Sequence, residues 1–421
     1  MIILYYAVAA GVLLVQMLLL VEGFRHVRYT LSKYRPKPSD YQPRVALIAP
    51  CRGLDTSFDR NIRSFFELDY PDYELFFVVQ SSDDPAYRRL DEIIRERRRR
   101  ADAPRACLLV AGPAAERTQK VHNLLLATAA VPPDRQVFAF VDSDACLKPH
   151  FLTALVRPLR RNDCGAATGY RWYVPADGHP ASHVLSALNA PFASLLGPHR
   201  WNSAWGGAMA IRRDVFDRVG VRQAWQHAAS DDYLLTHAVR QGGLPVAFAP
   251  ACFVASYERT TWRELFAFAR RQFVITRICR NRLWWLALLS WGHWVAAFWG
   301  GLLITLLLHA RQSPHAPYAA LLPLGVYGIA LLKAAARQVL IRKILSEDRR
   351  RLLPAALIDV FLQPLVNGFT LVCLLTSASG RTITWRGIRY LLPDAHHTRV
   401  LSSPHPAEPS APSANATPHQ G

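Results

Sequence analysis

Apolar residues are concentrated near the two ends of this 421-residue chain. Residues 2–21 form one apolar run that is long enough to span a bilayer, and three more runs follow at about 283–308, 318–340 and 353–375. The region between them is much more polar. This distribution argues against a single globular core and predicts a soluble domain inserted between membrane helices.

The charges that flank the first run predict its orientation. No basic residue precedes it, whereas Arg25, His26 and Arg28 follow it. A secretory signal would have the opposite charge order and a small-residue cleavage site, so we interpret residues 1–24 as an anchor whose amino end lies outside. Residues 25–43 then form a linker, and we expect the next domain in the cytoplasm, as in an integral protein of a bacterial inner membrane.

The last apolar run leaves the topology open. If all three carboxyl-terminal runs cross the membrane, the basic segment 379–402 lies outside, although its arginines are typical of a cytoplasmic surface. The last run contains Pro364, and a re-entrant or interfacial course would return that segment to the cytoplasm. Asp359, Gln363 and Asn367 share one face of this helix, where they contact either a lipid headgroup or a neighbouring helix.

The chain is strongly basic, with 50 lysines and arginines against 31 acidic residues and a formal net charge of +19. It has no zinc-finger spacing or aromatic-basic RNA motif, and many of its arginines flank apolar runs. Anionic lipid is therefore the expected partner, rather than nucleic acid. The seven cysteines contain no C-x-x-C pair, which is typical of reduced cysteines in a cytoplasmic domain.

Short apolar runs alternate with helical patterns in the middle region. Asp84 and Pro85 are typical of the first residues of a helix, which we expect to continue over 86–100. Alternation of strand and helix predicts an α/β fold with a doubly wound, mostly parallel sheet. The expected strands are 45–49, 75–79, 107–110 and 137–141.

Two carboxylates follow the last of these strands. Residues 137–141 are apolar on both faces, as expected inside a parallel sheet, and lead directly into Asp142 and Asp144. Open α/β sheets bind ligands beyond the carboxyl ends of their strands, and paired carboxylates suit Mg²⁺ or Mn²⁺ with nucleotide phosphates as further ligands. The alternative is that both residues only cap the helix expected after Pro149.

Two further polar residues are candidates for contact with a nucleotide. Asp84 is expected on the same rim of the sheet as Asp142, where it either contacts a ligand or only caps its helix. Lys120 stands near the start of a helix with an apolar face, where it either meets a phosphate as a point charge or is an ordinary exposed lysine.

The second half of the middle region contains candidates for chemistry at an acceptor. Gly206 and Gly207 would let the backbone approach a ligand closely, within a stretch rich in aromatic residues. Asp231 and Asp232 begin the next helix. One carboxylate is needed as its cap, which leaves the other for chemistry, and we favour Asp232 as a base.

Residues 261–282 interleave apolar side chains with arginines. This mixture is typical of a helix at the membrane surface, with its arginines bound to lipid phosphate or to a nucleotide diphosphate. At the carboxyl end, residues 403–421 are rich in Pro, Ala and Ser and are expected to be disordered.

Several segments carry a family resemblance. They are FFELDYP with VQSSDDPA, then QKVHN, VDSD, GGAMAIRRDVF, SDDYLLTHAV and WRGIRY. Together with the membrane layout they resemble the ceramide glucosyltransferases, a branch of the inverting family 2-type glycosyltransferases. The resemblance extends from Gly53 to Tyr390 and implies a GT-A domain over 44–260, an interface helix over 261–282 and transmembrane or re-entrant helices over 283–378.

The resemblance also implies an activity and a set of site residues. The expected reaction transfers a hexose, glucose before others, from a UDP-sugar to the hydroxyl of a ceramide-like lipid in the bilayer, with Mg²⁺ or Mn²⁺ bound by Asp142 and Asp144. Asp232 is the implied base. The implied donor-binding residues are Asp84, Lys120, Asp142, Arg270, Arg271 and Gln272, and those near the acceptor are His199, Gly206, Gly207 and Asp231.

One motif departs from the family. Its members carry a Q/R-x-x-R-W sequence, and here Arg270, Arg271, Gln272 and Phe273 occupy that place without the Arg-Trp pair. A bacterial enzyme that glycosylates hopanoids is an alternative, as is a polysaccharide synthase, although such synthases carry Q-x-x-R-W and more membrane spans. A non-catalytic membrane protein that binds anionic lipid or nucleic acid through its basic surface is a third alternative.

Overall fold

A computed structural model describes residues 2–100 and 103–403 of the chain. Apart from Ser403, the predicted disordered segment 403–421 lies outside these residues. The described chain contains a central sheet domain, a group of long apolar helices and a small carboxyl-terminal sheet.

The central sheet has seven strands in the order β3-β2-β1-β4-β6-β5-β7. Strands β3, β2, β1 and β4 are mutually parallel, as are β5 and β7, and only β6 runs antiparallel to its neighbours. The α/β class with a mostly parallel sheet is therefore confirmed. The strands are β1 (Val45–Pro50), β2 (Tyr73–Val79), β3 (Ala106–Val110), β4 (Val137–Val141), β5 (Ala166–Pro175), β6 (Ala208–Arg212) and β7 (Val246–Glu258).

Sixteen α-helices occur in the described residues, and the helix predicted after Asp84 ends at Arg97 rather than at Arg100. The first nine are α1 (Ile2–Lys33), α2 (Phe58–Phe65), α3 (Pro85–Arg97), α4 (Gln119–Ala130), α5 (Phe151–Val156), α6 (Pro180–Ala193), α7 (Arg213–Arg218), α8 (Val221–Ala224) and α9 (Asp231–Gln241). The others are α10 (Trp262–Cys279), α11 (Asn281–Val295), α12 (Gly301–Ala310), α13 (Ala316–Ala319), α14 (Leu321–Ile344), α15 (Arg349–Phe361) and α16 (Gln363–Ser377).

Strand β4 is buried on both faces because helices cover both sides of the sheet. Val137, Ala139 and Val141 pack into one core with α2, α3 and α5. Phe138 and Phe140 alternate to the other side and pack with α4, α7 and α9. The period of two along an extended strand thus explains why all five residues of VFAFV are apolar.

Three helical segments are long and apolar enough to cross a membrane within the described residues: Ile2–Lys33, Asn281–Ala310 and Ala316–Ile344. Many of their leucines are exposed, among them Leu14, Leu18 and Leu303, and such a surface is stable when lipid covers it. Helix α1 packs against α14, where the absence of a side chain at Gly325 makes room for Leu13. The predicted membrane layout is confirmed to this extent.

The last apolar run forms a bent pair. Helices Ser346–Phe361 and Gln363–Ser377 meet at 84°. At one end of the pair, the Tyr257 hydroxyl of β7 donates to Asp348 at 2.9 Å, and at the other end Arg270 of α10 donates to the Thr376 carbonyl at 3.1 Å. Both ends therefore contact the sheet domain and its adjoining helix, so the bend favours the re-entrant alternative over a straight span.

The basic segment 379–402 forms a small antiparallel sheet, which we did not predict. Its side chains pack back onto the central domain: Tyr390 is fully buried, and its hydroxyl accepts the Gln119 N–H at 3.2 Å. The segment therefore packs as a structural part of the sheet domain. Its strands are β8 (Thr382–Trp385), β9 (Ile388–Asp394) and β10 (His397–Ser402).

Candidate active site

The paired carboxylates after β4 face two cations. Lys120 Nζ lies 2.8 Å from Asp142 Oδ1, and Arg171 Nη1 donates to Asp144 Oδ2 at 2.7 Å. Neither carboxylate caps the next helix, because the cap position of α5 is His150. The alternative that these residues serve only as helix caps is therefore wrong.

Lys120 connects two parts of the chain that are far apart in sequence. Besides Asp142, its Nζ contacts Asp231 Oδ2 at 3.1 Å. Burial disfavours the charge of Lys120, but Asp142 and Asp231 outweigh burial and raise its pKa. The alternative of an ordinary exposed lysine is thus excluded, and Lys120 lies mostly buried between Asp142 and α9.

The two acidic residues that begin α9 have different surroundings. Burial, only partly offset by Lys120, raises the pKa of Asp231 to about 6. Asp232 is half-buried, accepts the Tyr233 N–H at 2.7 Å through Oδ1 and accepts the Gly206 N–H at 3.3 Å through Oδ2. The cap residue itself is Ser230 rather than either aspartate, so the expectation that one of them is the cap is wrong.

The chemistry of Asp142 and Asp144 fits a hard divalent cation. Burial favours a neutral Asp142, but Lys120 and Arg171 outweigh burial and hold its pKa below the ordinary value. Burial raises the pKa of Asp144, and its Oδ1 is buried without a hydrogen-bond partner. Among the described residues no group of three or more His, Cys, Asp and Glu side chains surrounds such an ion. Two carboxylates with phosphate and water as the remaining ligands are a usual arrangement for Mg²⁺.

A cavity of about 1220 Å³ contains these groups and extends to the membrane helices. At one end its wall includes Asp142, Asp144 and Lys120, with Asp231 and Asp232 beside them. At the other end the wall is formed by residues of α1, α11, α14 and α16, including Gln16, Trp291, Trp294, Lys333 and Asn367. One continuous space thus joins the rim of the sheet to the apolar helices.

Most of the residues predicted near the acceptor lie at this cavity. His199 and Gly206 are on its wall. Gly207 lies just behind the wall, where an added Cβ would be 2.6 Å from Asp142 Oδ2 and would collide with the Trp205 ring. The absence of a side chain at Gly207 therefore lets β6 pass directly beside the carboxylates.

The residues predicted to bind the donor are more scattered. Arg271 and Gln272 lie on the cavity wall. Arg270 does not lie on this wall. Its guanidinium donates to the carbonyls of Thr376 and Ser379 at 3.1 and 3.3 Å. Asp84 Oδ1 accepts the N–H groups of Ala86 and Gly53 at 2.9 and 2.8 Å, which matches the capping alternative and also fixes the loop after β1.

Several charged or aromatic residues at the site were not predicted. Arg171 lies over the rings of Tyr173 and Trp205, with its Cζ 4.6 and 5.0 Å from their centroids. Burial and the neighbouring Asp144 raise the pKa of Glu258 to about 8. Arg386, from the carboxyl-terminal sheet, also lines the cavity. No local pattern marks Arg171 or Glu258, because each stands on a strand among residues that face a core.

A mostly parallel α/β sheet with this acidic rim is the fold of a GT-A-type glycosyltransferase. The family model of glycosyl transferase family 21 matches residues 4–397, and the chain belongs to that family.

Curated relatives agree with the predicted resemblance. Ceramide glucosyltransferase 1 of Caenorhabditis elegans is 29% identical over 252 residues, covering 57% of this chain and 51% of the relative. Ceramide glucosyltransferase 3 of the same organism is 31% identical over 103 residues, covering 24% of this chain and 22% of the relative. The matches thus span about half the length of these relatives or less.

Solved structures show similarity at low identity. The mannosyltransferase PcManGT from Pyrobaculum calidifontis, in complex with GDP-Man and Mn²⁺, is 16% identical with a TM-score of 0.45, covering 89% of this chain and 97% of its own. Glucosyl-3-phosphoglycerate synthase from Mycobacterium tuberculosis is 17% identical with a TM-score of 0.35, covering 55% and 78%.

Proposed function

We propose that the protein transfers a hexose, glucose before others, from a UDP-sugar to the hydroxyl of a ceramide-like membrane lipid. The observation that carries this proposal is the continuous cavity between Asp142 and the membrane helices. A soluble acceptor would need no apolar path of this kind. The ceramide glucosyltransferases among the relatives add support for the lipid class.

The donor is assigned to the end of the cavity at the sheet rim. There the wall contains Arg52 after β1 and Thr118, Gln119 and Asn123 around the start of α4, which offer polar groups to a nucleotide. Asp142 and Asp144 would hold Mg²⁺ or Mn²⁺, which neutralises charge on the diphosphate when it is bound. Lys120 adds a positive charge that is fixed between two carboxylates.

The acceptor is assigned to the end of the cavity among the helices. Apolar side chains such as Leu188, Phe192, Leu286 and Trp291 line this part and suit the hydrocarbon of a lipid. A lipid can enter sideways between the helices and present its hydroxyl to the sheet rim without leaving the bilayer. This arrangement supports a cytoplasmic catalytic domain lying directly on the membrane.

In the proposed reaction the lipid hydroxyl attacks the anomeric carbon of the sugar. A new C–O bond forms as the bond to the diphosphate breaks, and UDP leaves with the electron pair of that bond. Asp232 removes the hydroxyl proton. Its position supports this role, because Tyr233 and Gly206 fix its carboxylate while Asp231 is committed to Lys120. Attack from the face opposite the diphosphate inverts the anomeric centre, so no covalent enzyme intermediate is needed.

The test uses the full chain purified in detergent with Mg²⁺ or Mn²⁺. A panel of UDP-sugars is combined with ceramide, diacylglycerol, hopanoid and polyprenyl-phosphate acceptors, and glycolipid is detected by mass spectrometry. We expect product with ceramide and a loss of about 10²- to 10⁴-fold in kcat for Asp232→Asn. Asp217→Asn, at an exposed acidic residue of α7, is the matched control and should retain full activity.

Each rival reading has its own outcome in this assay. Product formed only with hopanoid would mean that the acceptor is a hopanoid rather than a ceramide-like lipid, while the proposed hexose transfer would stand. A polymer formed without lipid would indicate a polysaccharide synthase. No product with any donor, together with unchanged lipid binding in Asp142→Asn, would indicate a non-catalytic lipid-binding protein and refute the proposal.

A further inference from the structure

Three arginines of α10, two of them at the family's motif position, donate to backbone carbonyls further along the chain. Arg270 donates to the carbonyls of Thr376 and Ser379, and Arg277 donates to the carbonyl of Gly380. Arg271 donates to the Thr384 carbonyl of β8 at 3.2 Å. Helix α10 therefore anchors the segment that leads from α16 into the small sheet.

The turn at the end of that anchored segment has an unusual backbone. Strands β8 and β9 are joined by Arg386 and Gly387, whose φ angles are +48° and +80°. Two successive left-handed residues are typical of a type I′ hairpin turn, for which Asn-Gly is the preferred pair. Arginine is uncommon at a positive φ, and such conformations persist where surrounding contacts hold them, often at functional sites.

The contacts of Arg386 lead to the paired carboxylates. Its guanidinium forms an ion pair with Asp55 and donates to the Arg52 carbonyl at 2.8 Å, while Arg52 Nε donates to the Arg386 carbonyl at 3.1 Å. Asp55 in turn accepts the Ser143 hydroxyl at 2.6 Å. Ser143 stands between Asp142 and Asp144, so one chain of contacts links the turn to the loop that would hold the cation.

Arg386 has hydrogen-bonding capacity left after these contacts. A guanidinium carries five N–H donors, and the contacts with Asp55 and Arg52 use two of them. The side chain is about one-third exposed, and it lines the cavity together with Trp385 and Arg52. The remaining donors are therefore available to a group placed beside Asp144 at the donor end.

We propose that the hairpin turn of Trp385, Arg386 and Gly387 binds the donor diphosphate through Arg386. The turn would thereby supply a Trp and an Arg in place of the Arg-Trp pair that α10 lacks, from a segment more than 100 positions further along the chain. The ligand class is a nucleoside diphosphate, whose oxygens accept two parallel N–H bonds from a guanidinium. This inference rests on the proposed function, because it assumes a nucleotide-sugar donor in the cavity.

The test is the affinity of the purified full chain for UDP, measured by calorimetry in detergent with Mg²⁺. Arg386→Asn is the main variant, because Asn is well suited to the left-handed turn and removes the charge without straining the backbone. We expect it to fold, because the relaxed turn offsets part of the lost ion pair with Asp55, and to bind UDP about 10- to 100-fold more weakly. Arg386→Lys should recover part of the affinity.

Two further variants separate binding from anchoring. Arg389→Asn removes an exposed arginine of β9, three residues further along, and should bind UDP as the wild type does. Asp55→Asn removes the negative charge of the ion pair but keeps a side-chain oxygen that can accept from Arg386 and from Ser143, so the turn stays in place and UDP affinity should be retained or increased. If Arg386→Asn and Asp55→Asn lose UDP affinity equally, Arg386 only anchors the turn and the inference is overturned.

The outcomes also distinguish this inference from the proposed function. A wild-type chain that binds no UDP, ADP or GDP would refute the proposed donor and the inference together. A wild-type chain that binds UDP, with Arg386→Asn within twofold of it, would refute only the role of Arg386.

Discussion

At the scale of single residues, the Lys120 ammonium connects two parts of the site. It lies between Asp142, in the loop after β4, and Asp231, at the start of α9. In a buried environment the three groups depend on each other, since each charge is stable only while its partners are present. Lys120 keeps Asp142 as a partner when Asp231 is neutral, so a change at Asp231 should alter the site more than it alters the fold.

Asp231→Asn should lower activity without lowering stability. Burial raises the pKa of Asp231 to about 6, so the folded protein binds this proton more tightly than the unfolded chain does. The ionised Asp231 carboxylate therefore lowers the free energy of unfolding near pH 7, and this destabilisation disappears as the pH falls through 6. Asp231→Asn has no ionised carboxylate at this position, so we expect its Tm at pH 7.5 to equal or exceed that of the wild type. We expect its kcat/KM to fall at least about tenfold.

The same shift predicts a pH dependence of activity. Protonation of Asp231 removes one of the two negative partners of Lys120, so kcat/KM of the wild type should fall as the pH is lowered through about 6. The variant Asp231→Asn should lack that inflection. A wild-type profile that is flat between pH 5 and pH 7.5 would contradict this account.

Gly207→Ala tests the close passage of β6 beside the carboxylates. A Cβ there would lie 2.6 Å from Asp142 Oδ2 and would collide with Trp205, so either the ring or the carboxylate must move. We expect a loss of about 1–3 kcal/mol in the free energy of unfolding and a large loss of kcat. Gly178→Ala, at a position with nothing within 4 Å, is the control for both measurements. Equal activity in the two variants would mean that the site tolerates displacement here.

At the scale of elements, the side chains of the apolar helices determine which ligand groups fit the end of the cavity that lies away from the sheet. Arg337 of α14 is buried and paired with Asp359 of α15 at 2.6 Å, and Gln338 donates to the same carboxylate at 2.7 Å. The sequence left two alternatives for the polar face of the last apolar run, a lipid headgroup or a neighbouring helix. Asp359 on that face contacts the neighbouring helix α14. Lys333, one turn before Arg337, lines the cavity and forms no ion pair with any described residue.

Lys333→Gln should weaken binding of the acceptor more than that of the donor. An ammonium that faces a largely apolar cavity is stabilised by contact with a polar or anionic headgroup, and that contact is lost in the variant. With glycolipid formation as the readout, we expect KM for the lipid to rise about 3- to 30-fold while KM for the UDP-sugar stays unchanged. Lys343→Gln, near the end of α14 and outside the cavity wall, is the matched control. A change in the donor KM alone would contradict the assignment.

At the scale of the whole molecule, the bent pair favours one of the two topologies that hydropathy left open. If the three long helices each cross the membrane and the bent pair is re-entrant, the sheet domain and the carboxyl-terminal sheet lie on one side, with the amino end and the α12–α13 connection on the other. The small sheet then reaches the active-site cavity without a fourth crossing.

This topology can be mapped with reporters in a bacterial host. A fluorescent protein fused after Ser403 should be bright, whereas alkaline phosphatase inserted at Gln312 should be active, since each reporter works on only one side of the inner membrane. A phosphatase fused after Ser403 should be inactive. An active phosphatase at that end would mean that the last helix pair crosses the membrane.

The local features of the fold were readable because they depend on neighbouring residues. All five residues of β4 are apolar since helices cover both faces of the sheet, and that pattern placed Asp142 and Asp144 correctly at the end of a strand. The cap of α3 and the apolar length of the membrane helices were visible for the same reason. The small carboxyl-terminal sheet was missed, because its arginines suggest a surface segment and its short strands are stable only against the central domain.

The sequence by itself determined the alternation of strand and helix, the apolar segments and the position of the acidic rim, since periodicity and hydropathy act over a few residues. Only the tertiary structure decided which charges meet there. Asp55 and Arg386 are 331 positions apart, and no local pattern predicts that these two side chains pair. Charges are brought together by the packing of whole elements, and that packing is decided by all the buried contacts of the fold at once.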